Sequence, residues 1–244
     1  MLKAAFRSDV GRVRTVNEDR VLVVGGVAGG SLAIVADGMG GHQAGDTASQ
    51  MTIELVQQAL EGLSPELPED ERESLIVEAI RRANAKVFEI ASMKEHYRGM
   101  GTTVTVALAD SERVVIGHIG DSRAYFISQA QFEQITEDHT LVNELLKTGQ
   151  LTPNEAAVHP RRNVLTRALG TDADVEVDVS SRRWKSGDVL LLCSDGLSNL
   201  VPEDELRRTV RGEGTLEEKV VRLVDYALNA GGDDNISVVL LSNE

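Results

Sequence analysis

The chain has 244 residues, 41% of them hydrophobic, which suffices for one large domain with a true core and argues against a disordered chain. Its 39 acidic and 25 basic residues give a formal net charge of −14. Because a nucleic-acid-binding protein needs clustered Lys and Arg to neutralise phosphates, the composition excludes nucleic acid as an expected partner. An acidic chain can, however, concentrate cations where its carboxylates converge.

The single cysteine, Cys193, lies in an apolar run, which predicts a small buried core residue. One cysteine allows no intramolecular disulfide, in agreement with a reducing compartment. No segment approaches the roughly 20 apolar residues of a membrane span, and the N-terminus has no apolar stretch of signal length. We therefore expect a cytoplasmic protein without a membrane partner.

Hydrophobic periodicity in the first half of the chain predicts one strand, two amphipathic helices and three further strands. In chain order these elements cover residues 31–36, 47–60, 73–91, 103–109, 113–119 and 123–127. Pro65 and Pro68, with an acidic cluster around them, mark a loop between the two helices. Because only short turns separate the last three strands, we expect them to form an antiparallel meander.

The second half predicts short helices and turns over about 138–170, where Thr152 and Pro153 are typical of a helix N-cap followed by proline at the first helical position. A strand, two helices and a last strand then cover residues 188–193, 202–210, 216–230 and 236–241. Antiparallel strands with helices in separate pairs favour an α+β fold over a doubly wound sheet. We expect residues 1–244 to form a single domain.

Four aspartates occur where predicted strands begin or end. Asp37 and Asp195 each follow an apolar run and precede a glycine, Asp121 follows the strand at 113–119, and Asp234 precedes the last strand. Carboxylates at the ends of core strands can converge, but they repel one another strongly unless cations lie between them. All-oxygen ligation suits Mg²⁺ or Mn²⁺, so the pattern predicts a site for these ions.

The two Asp-Gly dipeptides have an alternative interpretation, since Asp-Gly is a favoured turn sequence. In a metal site, by contrast, Gly38 would let the backbone turn tightly and bring its own carbonyl near an ion. The two matching segments, taken together with Asp121 and Asp234, favour the metal site over two unrelated turns.

The segment 13–20 precedes the first predicted strand and contains Arg14, Glu18 and Asp19. A guanidinium is a planar, permanently charged fork that matches phosphate oxygens, so Arg14 beside a metal cluster would bind a phosphoryl group. Glu18 and Asp19 could hold water molecules around the ions. Taken alone, the segment is more typical of a solvated charged stretch. The interpretation as a phosphate-binding segment is supported by the motifs that follow it.

Six short motifs resemble the motif series of the PPM family, the metal-dependent, type 2C Ser/Thr protein phosphatases, in its bacterial form. They appear in family order between residues 11 and 241. The motifs are Val13-Arg14 with Asn17-Glu18-Asp19, Val35-Ala36-Asp37-Gly38-Met39-Gly40-Gly41-His42, Gly99-Met100-Gly101-Thr102-Thr103, Gly120-Asp121-Ser122-Arg123, Cys193-Ser194-Asp195-Gly196-Leu197 and Asp234-Asn235-Ile236. The resemblance implies an α-β-β-α sandwich, two central antiparallel sheets each covered by a helix pair, with a flap subdomain at about 138–170.

The resemblance also implies a ligand set for Mg²⁺ or Mn²⁺, with two ions bound tightly and a third more weakly. Asp37 would bridge two cations, the Gly38 carbonyl would bind one of them, and Asp195 with Asp234 would complete the other. Asp121 together with Asp195 would hold the third cation.

Further roles follow from the same resemblance. Arg14 would bind the substrate phosphate and, with Asp37 and Asp195, would form the catalytic set. Glu18 and Asp19 would act through water, and Asn235 and His42 would lie in the surrounding shell.

The general acid is left open by one departure from eukaryotic members, which have histidine where this chain has Met39. A methionine side chain has no exchangeable proton to donate. Water held by the ions is the first candidate, and His42 and His159 are weaker ones.

The predicted activity is hydrolysis of phosphoserine and phosphothreonine in proteins by a monomeric enzyme, opposing bacterial Ser/Thr kinases. Two alternatives are a two-metal phosphodiesterase and a non-catalytic module that binds phosphoproteins. Arg161, Arg162 and Arg167 form a basic cluster in the flap, which we interpret either as steering phosphopeptides toward the site or as ordinary surface charge.

Overall fold

The computed structural model describes residues 2–40 and 44–244. Its strands are β1 (Leu2–Asp9), β2 (Asp19–Val27), β3 (Gly30–Met39), β4 (Gly101–Thr102), β5 (Val104–Ala109), β6 (Arg113–Ile119), β7 (Arg123–Ile127), β8 (Phe132–Gln134), β9 (Asp178–Arg183), β10 (Val189–Cys193) and β11 (Ile236–Asn243). Its helices are α1 (Ala44–Leu60), α2 (Glu69–Met93), α3 (Leu141–Lys147), α4 (Pro153–Ala157), α5 (Asp195–Ser198), α6 (Glu203–Arg211) and α7 (Leu216–Asn229), with a 3₁₀ turn at Glu95–Tyr97.

The strands form two antiparallel sheets that pack face to face. The first sheet has the order β1-β11-β10-β7-β8, and the second has the order β2-β3-β5-β6-β9, with the short β4 paired to β3. Buried side chains from both sheets, such as Val35 and Ile116 on one and Leu192 and Val239 on the other, fill the layer between them. Helices α1 and α2 cover the second sheet, and α5 to α7 cover the first. The predicted α-β-β-α sandwich is confirmed.

Helix α1 shows why the amphipathic pattern predicted the helices correctly. Ala48, Thr52, Val56 and Leu60 follow one another at four-residue spacing and are all fully buried, so they form the stripe that packs on the second sheet. Helices α1 and α2 each begin a few residues before the predicted start. In α2 the first turn is polar and does not register in the hydrophobic pattern, whereas in α1 it contains Gly45, which is not typical of a helix.

The predicted meander of three strands is wrong in its third member. Strands β5 and β6 pair antiparallel as expected, but β7 lies in the other sheet, where it pairs with β10 and β8. The short turn at Gly120 therefore carries the chain from one sheet to the other. Strands joined by a short connection usually pair with each other in one sheet. In a sandwich, however, a short turn at the edge can also connect a strand of one sheet to a strand of the other.

Five strands were missed by the sequence analysis: the two-residue β4, which pairs with β3, and β1, β2, β8 and β9, each of which lies at an edge of its sheet. An edge strand covers less of the core, and β9 accordingly has no fully buried residue. Strands β1, β8 and β9 lack the apolar runs that identified the central strands, whereas β2 does contain one, at Val21–Val24.

The flap segment 138–170 contains α3 and α4, which pack loosely. No residue of α3 is fully buried, and Ala156 is the one buried residue of α4. Thr152 forms the predicted N-cap, with a capping box to Glu155. Cys193 is buried as predicted. None of the described helices combines the length and the hydropathy that crossing a membrane requires.

Candidate active site

The carboxylates singled out from the sequence lie at one end of the sandwich. Asp37 is on β3 of the second sheet, and Asp19 faces it directly across the β2–β3 ladder. Asp195 begins α5 after the first sheet's β10, and Asp234 lies just before β11. Asp121 occupies the turn that joins β6 to β7. The site therefore lies where the chain passes between the two sheets.

The pKa values show that these carboxyl groups act on one another. Burial raises the pKa of Asp37 well above its ordinary value, and the charges of Asp19, Asp195, Asp121 and Asp234 raise it further. A hydrogen-bonding influence of Asp37 lowers the pKa of Asp195, so the two carboxyl groups lie near each other, which is stable only if a proton or a cation neutralises their charge. Asp37 and Asp234, which are 197 positions apart in the sequence, thus belong to one acidic centre.

The carboxyl groups of Asp195 and Asp121, like that of Asp37, have raised pKa values. Burial raises the pKa of Asp195 to about 6, with Asp234 adding to the rise and Arg14 opposing it. Burial also raises the pKa of Asp121 well above its ordinary value, and the charge of Asp195 is the next cause.

Asp19 is 1% exposed and has one oxygen with a partner and one without. Its Oδ2 accepts a hydrogen bond of 2.7 Å from the Ser194 hydroxyl, whereas its Oδ1 is buried without a hydrogen-bond partner, as is Oε1 of Glu18. Burial, against the hydrogen bond from Ser194, raises the pKa of Asp19 to about 7. Orphaned buried oxygens are costly, and a cation with its water would satisfy both.

The donor set fits small dications that keep part of their water. No three His, Cys, Asp or Glu side chains within residues 2–40 and 44–244 form a ready-made cage around one ion. Mg²⁺ in particular is bound through one or two carboxylates and retains several water molecules. Carboxylate pairs such as Asp37 with Asp195, together with the orphaned oxygens nearby, match that requirement.

The two Asp-Gly dipeptides are not turns, which corrects the expected role of Gly38. Strand β3 continues through Gly38 to Met39, and Gly196 lies inside α5. A side chain at Gly38 would collide with the main chain of Gly45 on α1, and one at Gly196 would collide with the carbonyl of Asn235. Both glycines are needed for close approach of another backbone rather than for chain reversal.

Two hydroxyl side chains that the sequence analysis missed support Asp37. Thr103 Oγ1 accepts the backbone N–H of Asp37 at 3.0 Å and lies 2.8 Å from the hydroxyl of Ser122. Thr103 and Ser122 are almost completely buried. Thr103 is part of one of the six motifs. Its hydrogen bond to Asp37 could not be predicted, because the two residues lie in separate segments of the chain.

Arg14 extends over the acidic centre from the loop between β1 and β2. Its guanidinium forms an ion pair of 2.8 Å with Oδ2 of Asp234, and its side chain is 48% exposed. The side chain of Asn235 holds this loop: its amide donates to the carbonyls of Val10 and Val16, and its oxygen accepts the N–H of Glu18. Asn235 therefore contacts backbone on three sides.

Arg20 is a further residue that the sequence analysis did not single out. Its guanidinium donates to the carbonyls of Asn17 and Asp19 and forms an ion pair with Asp46 on α1. It thereby ties the segment that carries Glu18 and Asp19 to the first turn of α1.

A cleft of about 560 Å³ separates the acidic centre from the flap. At the base of the flap Asp138 accepts hydrogen bonds of 3.0 and 2.7 Å from the guanidinium of Arg123. The lining residues include Asp121, Asp195 and Asp234 on one side and Val142, Leu146 and Arg162 on the other. A phosphorylated side chain entering this cleft would meet the carboxylates at its floor.

The three flap arginines do not form one cluster. Arg161 and Arg162 are exposed, whereas Arg167 donates a hydrogen bond of 2.8 Å to Asp178 on β9. His159 accepts the N–H of Arg161 and is not among the described residues that line the cleft. His42 lies outside the described residues.

Comparison with known proteins agrees with this geometry. The family model for protein phosphatase 2C matches residues 11–233. The chain belongs to this family.

Individual relatives match over almost their whole length. The serine/threonine phosphatase stp of Listeria monocytogenes is 41% identical over 100% of this chain and 96% of its own. The structure of the serine/threonine phosphatase Stp1 of Staphylococcus aureus superposes with a TM-score of 0.94, at 38% identity over 100% of this chain and 96% of that one. The catalytic domain of PstP, solved in complex with two manganese ions, gives a TM-score of 0.86 at 36% identity over 99% and 97%.

Membership of the protein phosphatase 2C family decides among the three activities that the sequence left open. The chain is an enzyme and a protein phosphatase, so the phosphodiesterase and the non-catalytic module are set aside. Asp37, Asp121 and Asp195, which a module that only binds phosphoproteins would not need, are all present.

Proposed function

We propose that this protein phosphatase hydrolyses phosphoserine and phosphothreonine in proteins at the cleft between the acidic centre and the flap, with the help of Mg²⁺ or Mn²⁺. The observation that carries the proposal is the convergence of buried carboxyl groups from separate elements: Asp19 lies opposite Asp37 across the β2–β3 ladder, and the charge of Asp195 raises the pKa of Asp37 further. Buried carboxylates so close together are stable only if positive charge neutralises them. Residues 1–244 form one catalytic domain in this proposal.

The residues assigned to the ions are Asp37, the Gly38 carbonyl, Asp195 and Asp234 for two tight sites, and Asp121 with Asp195 for a third, weaker site. When bound, the ions supply a Lewis acid that lowers the pKa of water and neutralises phosphoryl oxygens. Glu18 and Asp19, with their orphaned oxygens, hold water at the margin of these sites. Asn235 positions the loop that carries Arg14.

Arg14 is the residue assigned to the phosphate. Its guanidinium is paired with Asp234, and it would be available to phosphoryl oxygens if the Asp234 carboxylate were engaged as a cation ligand. A hydrogen bond to a charged group contributes about 1.5–3 kcal/mol. Hydrolysis of a phosphate monoester needs more than roughly 20 kcal/mol of barrier lowering, so Arg14 orients the substrate while the cation-binding centre provides most of the rate enhancement.

The partners we propose are phosphorylated proteins, including those phosphorylated by a Ser/Thr kinase. The net charge of −14 repels nucleic acid, because a phosphate backbone requires compensating cations. We propose that the enzyme acts as a monomer, since the residues that line the cleft come from one chain. We also propose that it acts in the cytoplasm, where a single, buried, unpaired cysteine is in keeping with a reducing environment.

A metal-replacement assay tests the proposal. Purified protein is treated with a chelator, dialysed, and assayed on para-nitrophenyl phosphate and on a phosphothreonine peptide with added Mn²⁺, Mg²⁺ or Ca²⁺. We expect no turnover after chelation, recovery with Mn²⁺ or Mg²⁺, and a higher Tm with either ion, because an ion that binds only the folded state stabilises it. Turnover that survives chelation, or that is faster on bis-para-nitrophenyl phosphate than on the monoester, would contradict the proposal.

A further inference from the structure

The turn that carries Asp121 is held tightly by its surroundings. Gly120 has a φ of +108°, and a side chain there would collide with that of Thr103. Ser122, on the other side of Asp121, lies 2.8 Å from the Thr103 hydroxyl. The turn is thus pressed against the residue that also supports Asp37, which leaves little freedom for the position of the Asp121 carboxylate.

One residue, His139, holds both polar groups of the Gly120 backbone. The N–H of Gly120 donates to Nδ1 of His139 at 3.0 Å, and the N–H of His139 donates to the carbonyl of Gly120 at 2.8 Å. His139 is 1% exposed, so water cannot replace either bond. Its own carbonyl accepts the N–H of Thr166 at 2.8 Å, which ties the same residue to the end of the flap segment.

These contacts determine which ring nitrogen carries the proton. Because Nδ1 accepts the N–H of Gly120, it must be unprotonated, and the proton of the neutral ring is on Nε2. Nε2 lies 3.0 Å from Oδ2 of Asp178, to which it donates. Burial lowers the pKa of His139, which agrees with a neutral ring.

Asp178 is itself held in place from the other side. Its Oδ1 accepts a hydrogen bond of 2.8 Å from the guanidinium of Arg167. A chain of contacts therefore runs from Arg167 through Asp178 and His139 to the turn of Asp121. The carboxylate of Asp178 favours the tautomer of His139 with its proton on Nε2, whose Nδ1 can accept the N–H of Gly120. In the other tautomer the Nδ1–H would face the N–H of Gly120.

We propose that His139 is a positioning residue for the reaction, which fixes the Gly120–Asp121 turn in the geometry that Asp121 needs to bind its cation. The inference rests on the proposed assignment of Asp121 to the third, weaker ion. His139 touches neither substrate nor ion, so its effect is exerted through the backbone of Gly120. Residues that hydrogen-bond directly to a metal ligand typically change metal affinity by about 10–100-fold when they are replaced; His139 acts one residue further from the ion, so we expect the lower end of that range.

Two substitutions of His139 separate this role from simple packing. In His139→Asn the amide oxygen can occupy the place of Nδ1 and accept the N–H of Gly120, although the rest of the ring is lost. In His139→Gln the polar end reaches the place of Nε2 instead, so more volume is kept but the acceptor for Gly120 is lost. If His139 served only packing, the larger Gln would be the better replacement.

The experiment titrates Mn²⁺ into the chelator-treated wild type and both variants, with calorimetry and with electron paramagnetic resonance of the free ion. These methods count bound ions and give their affinities without reference to turnover. We expect the weakest Mn²⁺ site to lose less than about threefold in affinity in His139→Asn and about tenfold or more in His139→Gln. The tight sites should keep their affinity in both variants.

A double-mutant cycle with Asp121→Asn tests the route of the effect. Once Asp121 is replaced, His139→Gln should have almost no further effect on Mn²⁺ binding. As a control, Asn243→Ala removes another buried hydrogen bond from a side chain to the backbone, 2.8 Å to the carbonyl of Ser111, at the end of β11 remote from the site. It should lower Tm and leave Mn²⁺ binding unchanged.

Two results would overturn the inference: equal Mn²⁺ affinities in the Asn and Gln variants, or an undiminished effect of His139→Gln in the Asp121→Asn background. Either result leaves the proposed function standing, provided that the wild type binds Mn²⁺ and hydrolyses para-nitrophenyl phosphate. If the wild type itself binds no Mn²⁺, the proposed function fails first.

Discussion

The acidic centre with the buried side chains behind it, here called the acidic rim, faces the flap across one cleft. The two regions differ in how their side chains are held. At the rim, the carboxylates are backed by buried polar side chains, and Thr103, Ser194 and Ser237 are each 2% exposed or less. In the flap, α3 has no fully buried residue. The rim is fixed by bonds between distant parts of the chain. The two ends of the flap are anchored in the same way, by His139 and Leu169, whereas helices α3 and α4 between them are stabilised mainly by their own helix caps.

The difference indicates that the rim serves catalysis and the flap serves recognition of the protein substrate. Cation binding and attack on phosphorus need groups held within a fraction of an ångström, which the backing of the rim provides. A phosphatase that accepts different proteins needs a surface that can adapt, and segments with few buried contacts open at low free-energy cost. We therefore expect rim substitutions to affect every substrate and flap substitutions to affect protein substrates selectively.

The largest effect should come from Asp37→Ala, which removes the carboxylate with the most acidic neighbours. Turnover of para-nitrophenyl phosphate should fall at least about 100-fold, because the cation-binding centre provides most of the rate enhancement. Steady-state assays with saturating Mn²⁺ measure this, with Asp225→Ala on the exposed side of α7 as the control. A variant that kept more than a few per cent of the wild-type rate would show the assignment of Asp37 to be wrong.

Arg14→Ala should have the next largest effect. Losing a hydrogen bond to a charged group costs about 1.5–3 kcal/mol, so kcat/KM should fall about 10- to 100-fold. Mn²⁺ affinity measured by calorimetry should stay close to that of the wild type. Arg7→Ala, which removes an arginine from the adjacent strand, is the matched control. A loss of Mn²⁺ binding in Arg14→Ala would mean that Arg14 organises the metal site rather than the phosphate.

Asn235→Ala should have a smaller effect on turnover and a clear effect on stability. It leaves the carbonyls of Val10 and Val16 and the N–H of Glu18 without their partner. We expect unfolding in urea to cost about 1–3 kcal/mol less, with a drop in kcat/KM of less than about tenfold as the Arg14 loop loosens. An unchanged urea midpoint would show that this loop is held by other contacts.

The smallest effect should come from reversing the charge of Arg161 and Arg162 together. These exposed side chains contribute through long-range attraction, which salt screens. KM for an acidic phosphopeptide should rise a few-fold at low ionic strength and approach the wild-type value at high salt, while para-nitrophenyl phosphate is used as before. Equal changes for both substrates would show that the flap does not discriminate between them by charge.

Much of the fold could be predicted because its central elements carry strong local patterns. Strands β3, β5, β6, β7, β10 and β11 were all predicted near their observed bounds, and each has neighbours on both sides in its sheet. Apart from the two-residue β4, the missed strands are the edges of the two sheets, and in β1, β8 and β9 partial exposure permits polar residues. Periodicity records burial, so it identifies the middle of a sheet better than its margins.

The candidate site could be predicted in its residue types but not in its construction. Asp37, Asp121, Asp195 and Asp234 are visible as aspartates beside apolar runs, and Arg14 as a cation in a recognisable motif. Thr103 as a support of Asp37, and His139 as a clamp on Gly120, had no signal of their own. Both act through hydrogen bonds between separate elements, which sequence spacing does not encode.

The sequence by itself determined the chemistry of this protein and the identity of its central strands and helices, because side-chain type and local periodicity belong to the chain before it folds. Only the tertiary structure decided that β7 joins the other sheet, that Asp19 faces Asp37, and that Gly38 and Gly196 serve close packing instead of turns. These are properties of pairing between distant segments. Strand pairing depends on which backbone lies alongside, and a linear pattern is compatible with several partners.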